Sequence, residues 1–315
     1  MYPYKFTPIY KKKIWGGRSL ERLFGRSLPE GGIGESWELA DLPAGETAVA
    51  NGPDSARPIS SLLSEKAEPI VGGSRGLADG RFPLLLKLLD ANDILSLQVH
   101  PDPRAARRLG PPAQFKTECW YVIESRGGYV YKGVKPGVTA GAFRKAMESG
   151  RSEALTDMVV RYDVAPGDFH YLPAGTVHAL GPGVVVAEVQ TPSDTVYRVS
   201  DWGRARDIHQ QEAMQCIHFQ PCPAKPPGAE GDVLVRSPNF VVERKSFAAG
   251  QHKVGGGQCA AWMVLAGRGR VAAADTGHGA DFCPGDTILM PARMSAAAVT
   301  ADQDVRLLRI TLPEA

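Results

Sequence analysis

The chain has 315 residues, with 36 Lys and Arg against 34 Asp and Glu and a formal net charge of +2. A balance this even gives no electrostatic case for nucleic acid or a membrane surface, and no run reaches the roughly 18 to 20 apolar residues of a membrane span. The length allows one large or two medium domains, and 5 scattered cysteines with no C-x-x-C pair fit reduced thiols in the cytoplasm.

The N-terminal segment MYPYKFTPIYKKKIW has no continuous apolar region, so it does not read as a secretory signal, and Lys11 to Lys13 read as a solvated turn. Many short β-like runs, punctuated by 35 Gly and 25 Pro, predict a mainly β protein. Helical spacing predicts a short helix over Ser19 to Phe24 and another over Ser60 to Ala67, behind Pro58. In LLLKLLDA, Lys87 and Asp90 are charges in an apolar run, so each needs a partner, as a site residue or in an ion pair. The stretch LSLQVHP alternates: Leu95, Leu97 and Val99 take one strand face, while Ser96, Gln98 and His100 take the other. Asp102 to Leu109 adds a helical turn with Pro103 at its first position.

KTECWYVIE places Lys116, Glu118 and Trp120 on one strand face and Cys119 on the opposite one, where it reads as a small buried hydrophobe. Ala142 to Val160 predicts two short helices broken at Gly150, an insertion expected to cover the mouth of a barrel. Gly167-Asp168 signals a turn, Phe169 to Leu172 a strand, Pro173 to Gly175 a second turn, and Val177 to Leu180 a strand carrying His178. This G-x5-P-x-G-x2-H pattern resembles the second signature of the cupin superfamily, whose barrels hold a metal on inward-facing strand residues. His100, Glu118 and His178 then converge on one cation, with Gln98 as a candidate fourth ligand. Two imidazoles, a carboxylate and an amide suit Zn²⁺ with an open position, and the same donors suit Fe²⁺ or Mn²⁺.

Residues 220–232 are a proline- and glycine-rich linker. They divide the expected metal-bearing domain, 1–219, from 233–315, which reads as a worn copy of it. Gly285-Asp286 match Gly167-Asp168, Pro291-Ala292 match Pro173-Ala174, Ala296 falls on His178, and Cys259 falls on Glu118. The expected fold is therefore two cupin-like (double-stranded β-helix or jelly-roll) barrels with short helical insertions, the second without metal ligands. His252 and His278 are expected in exposed glycine-rich turns.

Seven segments carry a more specific resemblance: IWGG (14–17), GESWE (34–38), LLLKLLDA (84–91), LSLQVHPDP (95–103), KTECWYVIE (116–124), PAGTVHAL (173–180) and VYRVSDWGR (196–204). In this order they resemble the type I mannose-6-phosphate isomerase family in its short bacterial form. The resemblance implies a zinc-dependent interconversion of mannose 6-phosphate and fructose 6-phosphate; the second repeat, with Ala296 and Cys259 at the ligand positions, leaves one zinc per chain as the expectation. It carries the zinc ligands onto Gln98, His100, Glu118 and His178, and a catalytic arginine onto Arg198. One departure is visible: Phe115 stands before Lys116, where longer relatives have a histidine, so no ring-opening histidine carries over.

Arg198 offers a fixed positive charge and a planar donor pair for an enediolate; the plainer alternative is a surface salt bridge to Asp201 or Asp207. Lys116, two residues from Glu118, suits either phosphate binding or proton abstraction. Trp15, Trp37 and Trp120 are candidates to line a sugar pocket, with Lys87 beside them. An iron-dependent cupin oxygenase and a non-catalytic sugar-phosphate-binding cupin are the competing readings. No nucleotide fingerprint is present.

Overall fold

The computed structural model describes residues 1–73, 78–223 and 225–313. Its strands pair antiparallel throughout and form two sandwiches, each of two facing sheets. The first sandwich sets a five-stranded sheet, in the order Val159–Asp163, Tyr129–Val134, His178–Leu180, Leu97–Val99 and Tyr197–Ser200, against a six-stranded one. The latter runs Phe169–Leu172, Glu118–Ser125, Val184–Gln190, Leu85–Ala91, Ile9–Gly17 and Ile33–Leu39. Trp15, Leu89, Trp120, Val122, Val130, Leu180 and Val186 fill the space between them.

The inner strands Val184–Gln190 and Leu85–Ala91 of the six-stranded sheet are buried on both faces, which is why VVVAEVQ reads as a continuous apolar run and not as an alternating one. Its outer residues Leu86, Leu88, Cys119, Val185, Ala187 and Val189 share a core with Ala261, Met263 and Ile288 of the second sandwich. Cys119 is thus buried on the face opposite Glu118, as its strand position predicts.

Sheet membership does not follow the linker. Tyr4–Thr7 pairs with Thr287–Met290, and Ala48–Val49 extends that same sheet, so two N-terminal strands complete the C-terminal half. The second helix also runs past its predicted end, from Ile59 to Val71. Its last carbonyls accept from the C-terminal half: Ala292 N–H donates to Ile70 O at 2.9 Å and Arg293 N–H to Pro69 O at 2.9 Å.

The other helices differ in place more than in existence. Ser19–Phe24 and Pro103–Leu109 form as predicted, and the insertion forms two helices, Ala140–Glu148 and Ser152–Thr156. They do not cover the barrel mouth. Phe143, Ala146, Met147 and Leu155 pack on the outer face of the five-stranded sheet, against Leu97, Val99, Val177 and Ala179. The apolar residues of the sheet's outer face needed a cover, and the amphipathic insertion provides it.

The turn-strand-turn cassette recurs in both halves with the same backbone bonds. Gly167 N–H donates to Val122 O and Gly285 N–H to Val264 O, each at 2.8 Å, with the glycines at φ 97° and 90°. Val122 and Val264 are therefore equivalent, and the register continues to Leu172 opposite Glu118 and Met290 opposite Ala260. Ala260, not Cys259, is the counterpart of Glu118. The hairpin from Val122 to Gly128 is one residue longer than that from Val264 to Gly269, so aligning those two glycines shifts the strand by one. His252 also departs from expectation: it lies half-buried in the strand Gly250–Gly255, whereas His278 is exposed.

Candidate metal centre and substrate cavity

Strand register sets two polar rows inside the first sandwich. On one sheet Lys132, His178, Gln98 and Arg198 are successive cross-strand neighbours. On the other, His170, Trp120, Glu188 and Lys87 are. Residues paired across antiparallel strands project to the same face, so each row presents its side chains together. The rows meet where Trp120 abuts His178 edge to face, ring centroids 5.4 Å apart.

His178, Glu118 and His100 converge beside this contact, one donor atom from each lying within 4.8 Å of the others. All three are buried, at 1%, 0% and 2% exposure. The turn before His178 is tied to the His100 segment, because Gly175 N–H donates to His100 O at 2.9 Å. Gly175 has φ 87°, and a Cβ there would sit 2.5 Å from the His218 ring, so this turn requires glycine. His178 Nδ1–H donates to Thr176 O at 2.9 Å, which turns the Nε2 lone pair towards Glu118 Oε1, 3.0 Å away. His100 Nε2 lies 3.4 Å from Glu118 Oε2. Neither nitrogen of His100 and neither oxygen of Glu118 has a hydrogen bond of acceptable geometry, although the contacts are short. Unpaired buried donors aimed at a common point are costly in an interior and fit a cation. Gln98 reaches the same nitrogen, its amide Nε2 3.4 Å from His178 Nε2. Among the described residues no other group of three His, Cys, Asp or Glu side chains comes together in this way.

A cavity of about 300 Å³ lies beside this cluster: Gln98, Lys116 and Trp120, which adjoin the cluster, line it together with Trp15, Lys87, Glu188 and Arg198 among others. Lys116 Nζ stands 3.0 Å from Glu118 Oε2, on the buried floor. Arg198 is not the surface ion pair of the plainer alternative. Asp201 is taken by Arg204 at 2.9 Å and Arg206 at 2.5 Å, and Arg198 bonds only the backbone oxygen of Asp207, at 3.4 Å. Among the described residues no carboxylate pairs with it, and its Nε is buried without a partner. Trp37 does not line the cavity; it packs with Ala40, Leu42 and Leu85. Asp90 is structural, accepting Ser19 N–H at 2.5 Å. A larger cleft of about 620 Å³ lies elsewhere, walled by prolines and by Phe115, and among the described residues it holds no group of three His, Cys, Asp or Glu side chains.

The family described as phosphomannose isomerase type I, catalytic domain, matches residues 4–118. A mannose-6-phosphate isomerase of Streptococcus mutans is 37% identical over 279 residues, 82% of this chain and 84% of that one. The chain belongs to the mannose-6-phosphate isomerase family. The crystal structure of the Bacillus subtilis mannose 6-phosphate isomerase superposes with a TM-score of 0.87 at 29% identity, covering 98% of this chain and 99% of that one. A mannose 6-phosphate isomerase bound with zinc and yttrium shares the fold at 16% identity, with a TM-score of 0.76 over 98% of this chain and 99% of that one.

In this member of the isomerase family, burial shapes the charge states of the site. Burial, with Lys116 nearby, pushes the His100 imidazole down to about 3, so it stays neutral and able to donate a lone pair at ordinary pH. Burial opposes ionisation of Glu118, but Lys116 and His100 outweigh it and hold its carboxyl well below the usual range. Two further buried carboxylates, Glu35 and Glu188, flank Lys87 at 3.7 and 3.2 Å, and Lys13 reaches Glu35 at 2.8 Å. Burial opposes the ammonium of Lys87, yet these carboxylates raise its pKa. Glu188 is raised by its own burial, with Lys87 pulling the other way, and it accepts Trp120 Nε1–H at 2.8 Å. Sequence reading missed Glu188, although one acid inside VVVAEVQ is the signal of a buried charge. It also missed Glu35, Asp194, Arg206 and His209, whose place on the cavity follows from distant pairings.

Glu35 gives a pH prediction. Burial would raise its carboxyl, but Lys87 and Lys13 bring it down to about 2 from an ordinary 4.5. A depressed carboxyl contributes stability that is complete above its ordinary pKa and is lost as pH falls towards the folded value. Glu35→Gln is therefore expected to flatten the acid limb of the stability profile between roughly pH 5 and pH 2, as read by urea melts across that range. An unchanged acid slope in the variant contradicts the ion-pair account.

Proposed function

We propose that this isomerase interconverts mannose 6-phosphate and fructose 6-phosphate through an enediol, using one zinc ion held by His100, Glu118 and His178 with Gln98 beside them. The observation that carries the proposal is the buried donor set of His100, Glu118 and His178, in which His100 and Glu118 lack hydrogen bonds, beside a cavity walled by cationic and aromatic side chains. Zinc is the fitting ion because two imidazoles and a carboxylate leave an open position on it, and a structure of the same fold is described as zinc-bound. Bound there, zinc supplies a Lewis acid for the oxygens on C1 and C2. The match to the isomerase family favours this reading over an iron oxygenase with the same donors.

The reaction moves one proton from C2 to C1 and another between the two oxygens, so its chemistry belongs at the deep end of the cavity. Lys116 is 3% exposed and lies against Glu118, which suits its amine to proton transfer at C1 and C2 and not to phosphate binding. Arg198 neighbours Gln98 in the sheet, and its unpaired guanidinium opposes the charge that develops on the enediolate. Trp15 offers an apolar wall to the carbon chain, and Lys87, held by Glu188 and Glu35, offers donors to the sugar hydroxyls. The second sandwich has Ala296 and Ala260 where these ligands stand, so it contributes no second metal site to the proposal. The test is a coupled assay of mannose 6-phosphate conversion with and without a chelator. Fructose 6-phosphate formation that stops on chelation and resumes with zinc supports the proposal; turnover indifferent to chelation refutes the metal role.

A further inference from the structure

The cavity lining holds two unlike groups of side chains. Its lining carboxylates, Glu35, Glu188 and Asp194, gather round Lys87, whose positive charge all three favour. Arg198, Arg206 and His209 also line the cavity, presented by the strand Tyr197–Ser200 and the segment that follows. Depth separates the ends as well: Lys116, which lines the cavity and lies against Glu118, is buried, whereas the Arg206 side chain is 27% exposed and His209 is half-buried.

A reciprocal pair of bonds fixes the orientation and tautomer of the His209 ring. Its own N–H donates to Arg198 O at 2.9 Å, and Arg198 N–H donates to its Nδ1 at 3.1 Å. A backbone N–H can only donate, so Nδ1 must be the acceptor and the proton of the neutral ring must sit on Nε2. That leaves Nε2–H as a committed donor on the cavity wall. Arg206 is braced in a similar way: Nε and Nη2 bond the two oxygens of buried Asp201 at 2.8 and 2.5 Å, leaving Nη1 uncommitted. Asp201 also holds Arg204 at 2.9 Å, so the segment presenting Arg206 is tied from both sides.

We infer that Arg206 and His209 form the subsite for the phosphate monoester of the substrate, at the mouth of the cavity. This rests on the isomerase reading above and adds its orientation. If C1 and C2 are at the floor, the phosphate on C6 lies at the other end of an extended chain, towards the mouth. Arg206 and His209 offer a cationic donor and an oriented N–H donor there, whereas the lining carboxylates Glu35, Glu188 and Asp194 all favour the charge of Lys87.

The two nitrogens of His209 can be tested separately, because an Asn amide mimics Nδ1 and a Gln amide reaches the place of Nε2. His209→Asn keeps an acceptor for Arg198 N–H but loses the outward donor. It is expected to raise KM for mannose 6-phosphate about tenfold, more than it lowers kcat, and to weaken competitive inhibition by inorganic phosphate equally. His209→Gln is expected to recover most of both, and Arg206→Gln, which leaves Arg204 on Asp201, to weaken both in the same direction as His209→Asn. Wild-type KM and phosphate inhibition in His209→Asn, or no recovery in His209→Gln, overturn the subsite. A wild-type protein that does not convert mannose 6-phosphate overturns the isomerase reading instead, so the two failures are distinguishable.

Discussion

His178→Ala is expected to lose bound zinc and turnover together. The residue opens the strand His178–Leu180, it is 1% exposed, and its Nε2 is aimed at Glu118 by the bond from Nδ1–H to Thr176 O. Removing groups that merely orient a metal ligand costs about 10- to 100-fold in affinity or activity, so loss of a ligand itself should exceed that. Gln98→Ala should behave differently. An amide is a poor zinc donor beside imidazole, and Gln98 sits between His178 and Arg198 in the polar row. This variant is expected to keep most of its metal while losing activity. Elemental analysis of both variants, set beside their kcat, checks the ranking. Full zinc occupancy in His178→Ala contradicts the ligand assignment, and equal metal loss in Gln98→Ala makes the glutamine a primary ligand.

Arg198→Ala is expected to lower kcat by about 10² to 10³, roughly 3 to 4 kcal/mol, the usual cost of removing one preorganised donor from a developing oxyanion. The change in KM should be smaller, because the contribution exists mainly in the transition state. Arg198→Lys should restore little, since an ammonium keeps the charge but not the planar donor pair. Thermal stability is the control. Arg198 pairs with no carboxylate among the described residues and holds only the Asp207 carbonyl, so its truncation removes little that supports the fold. A folded, zinc-loaded Arg198→Ala with near wild-type kcat would take the residue out of the mechanism, whereas a large fall in Tm would make it structural.

The centre of the site was legible because local rules determine it. Strand alternation alone places Gln98 and His100 on one face and puts Glu118 on the opposite face from Cys119, and the glycine turns before His178 fix where its strand begins. What local pattern cannot supply is the identity of distant neighbours. Nothing near His209 in sequence indicates that its ring accepts from Arg198, and nothing near Arg206 announces the brace on Asp201. The insertion shows the same limit from another side: its helices were readable from spacing, but the choice between the barrel mouth and the outer sheet face depended on which apolar surface lacked a cover. Helix Gln210–Cys216 went unread because two buried positions, Ala213 and Cys216, are too few to establish a period. The displaced match of Cys259 for Ala260 came from trusting a turn glycine, where hairpin length varies, over the strand register, where a slip of one residue would turn every side chain to the other face.

The most direct test of the account is a zinc titration into chelator-stripped wild-type protein, with metal binding and mannose 6-phosphate turnover followed on the same samples. Activity is expected to rise in proportion to bound zinc and to reach its plateau at one equivalent per chain, unchanged when His252 or His278 is replaced by Ala. Full turnover in the stripped protein, or a plateau reached only at two tightly held equivalents with one lost on replacing either histidine, would contradict it.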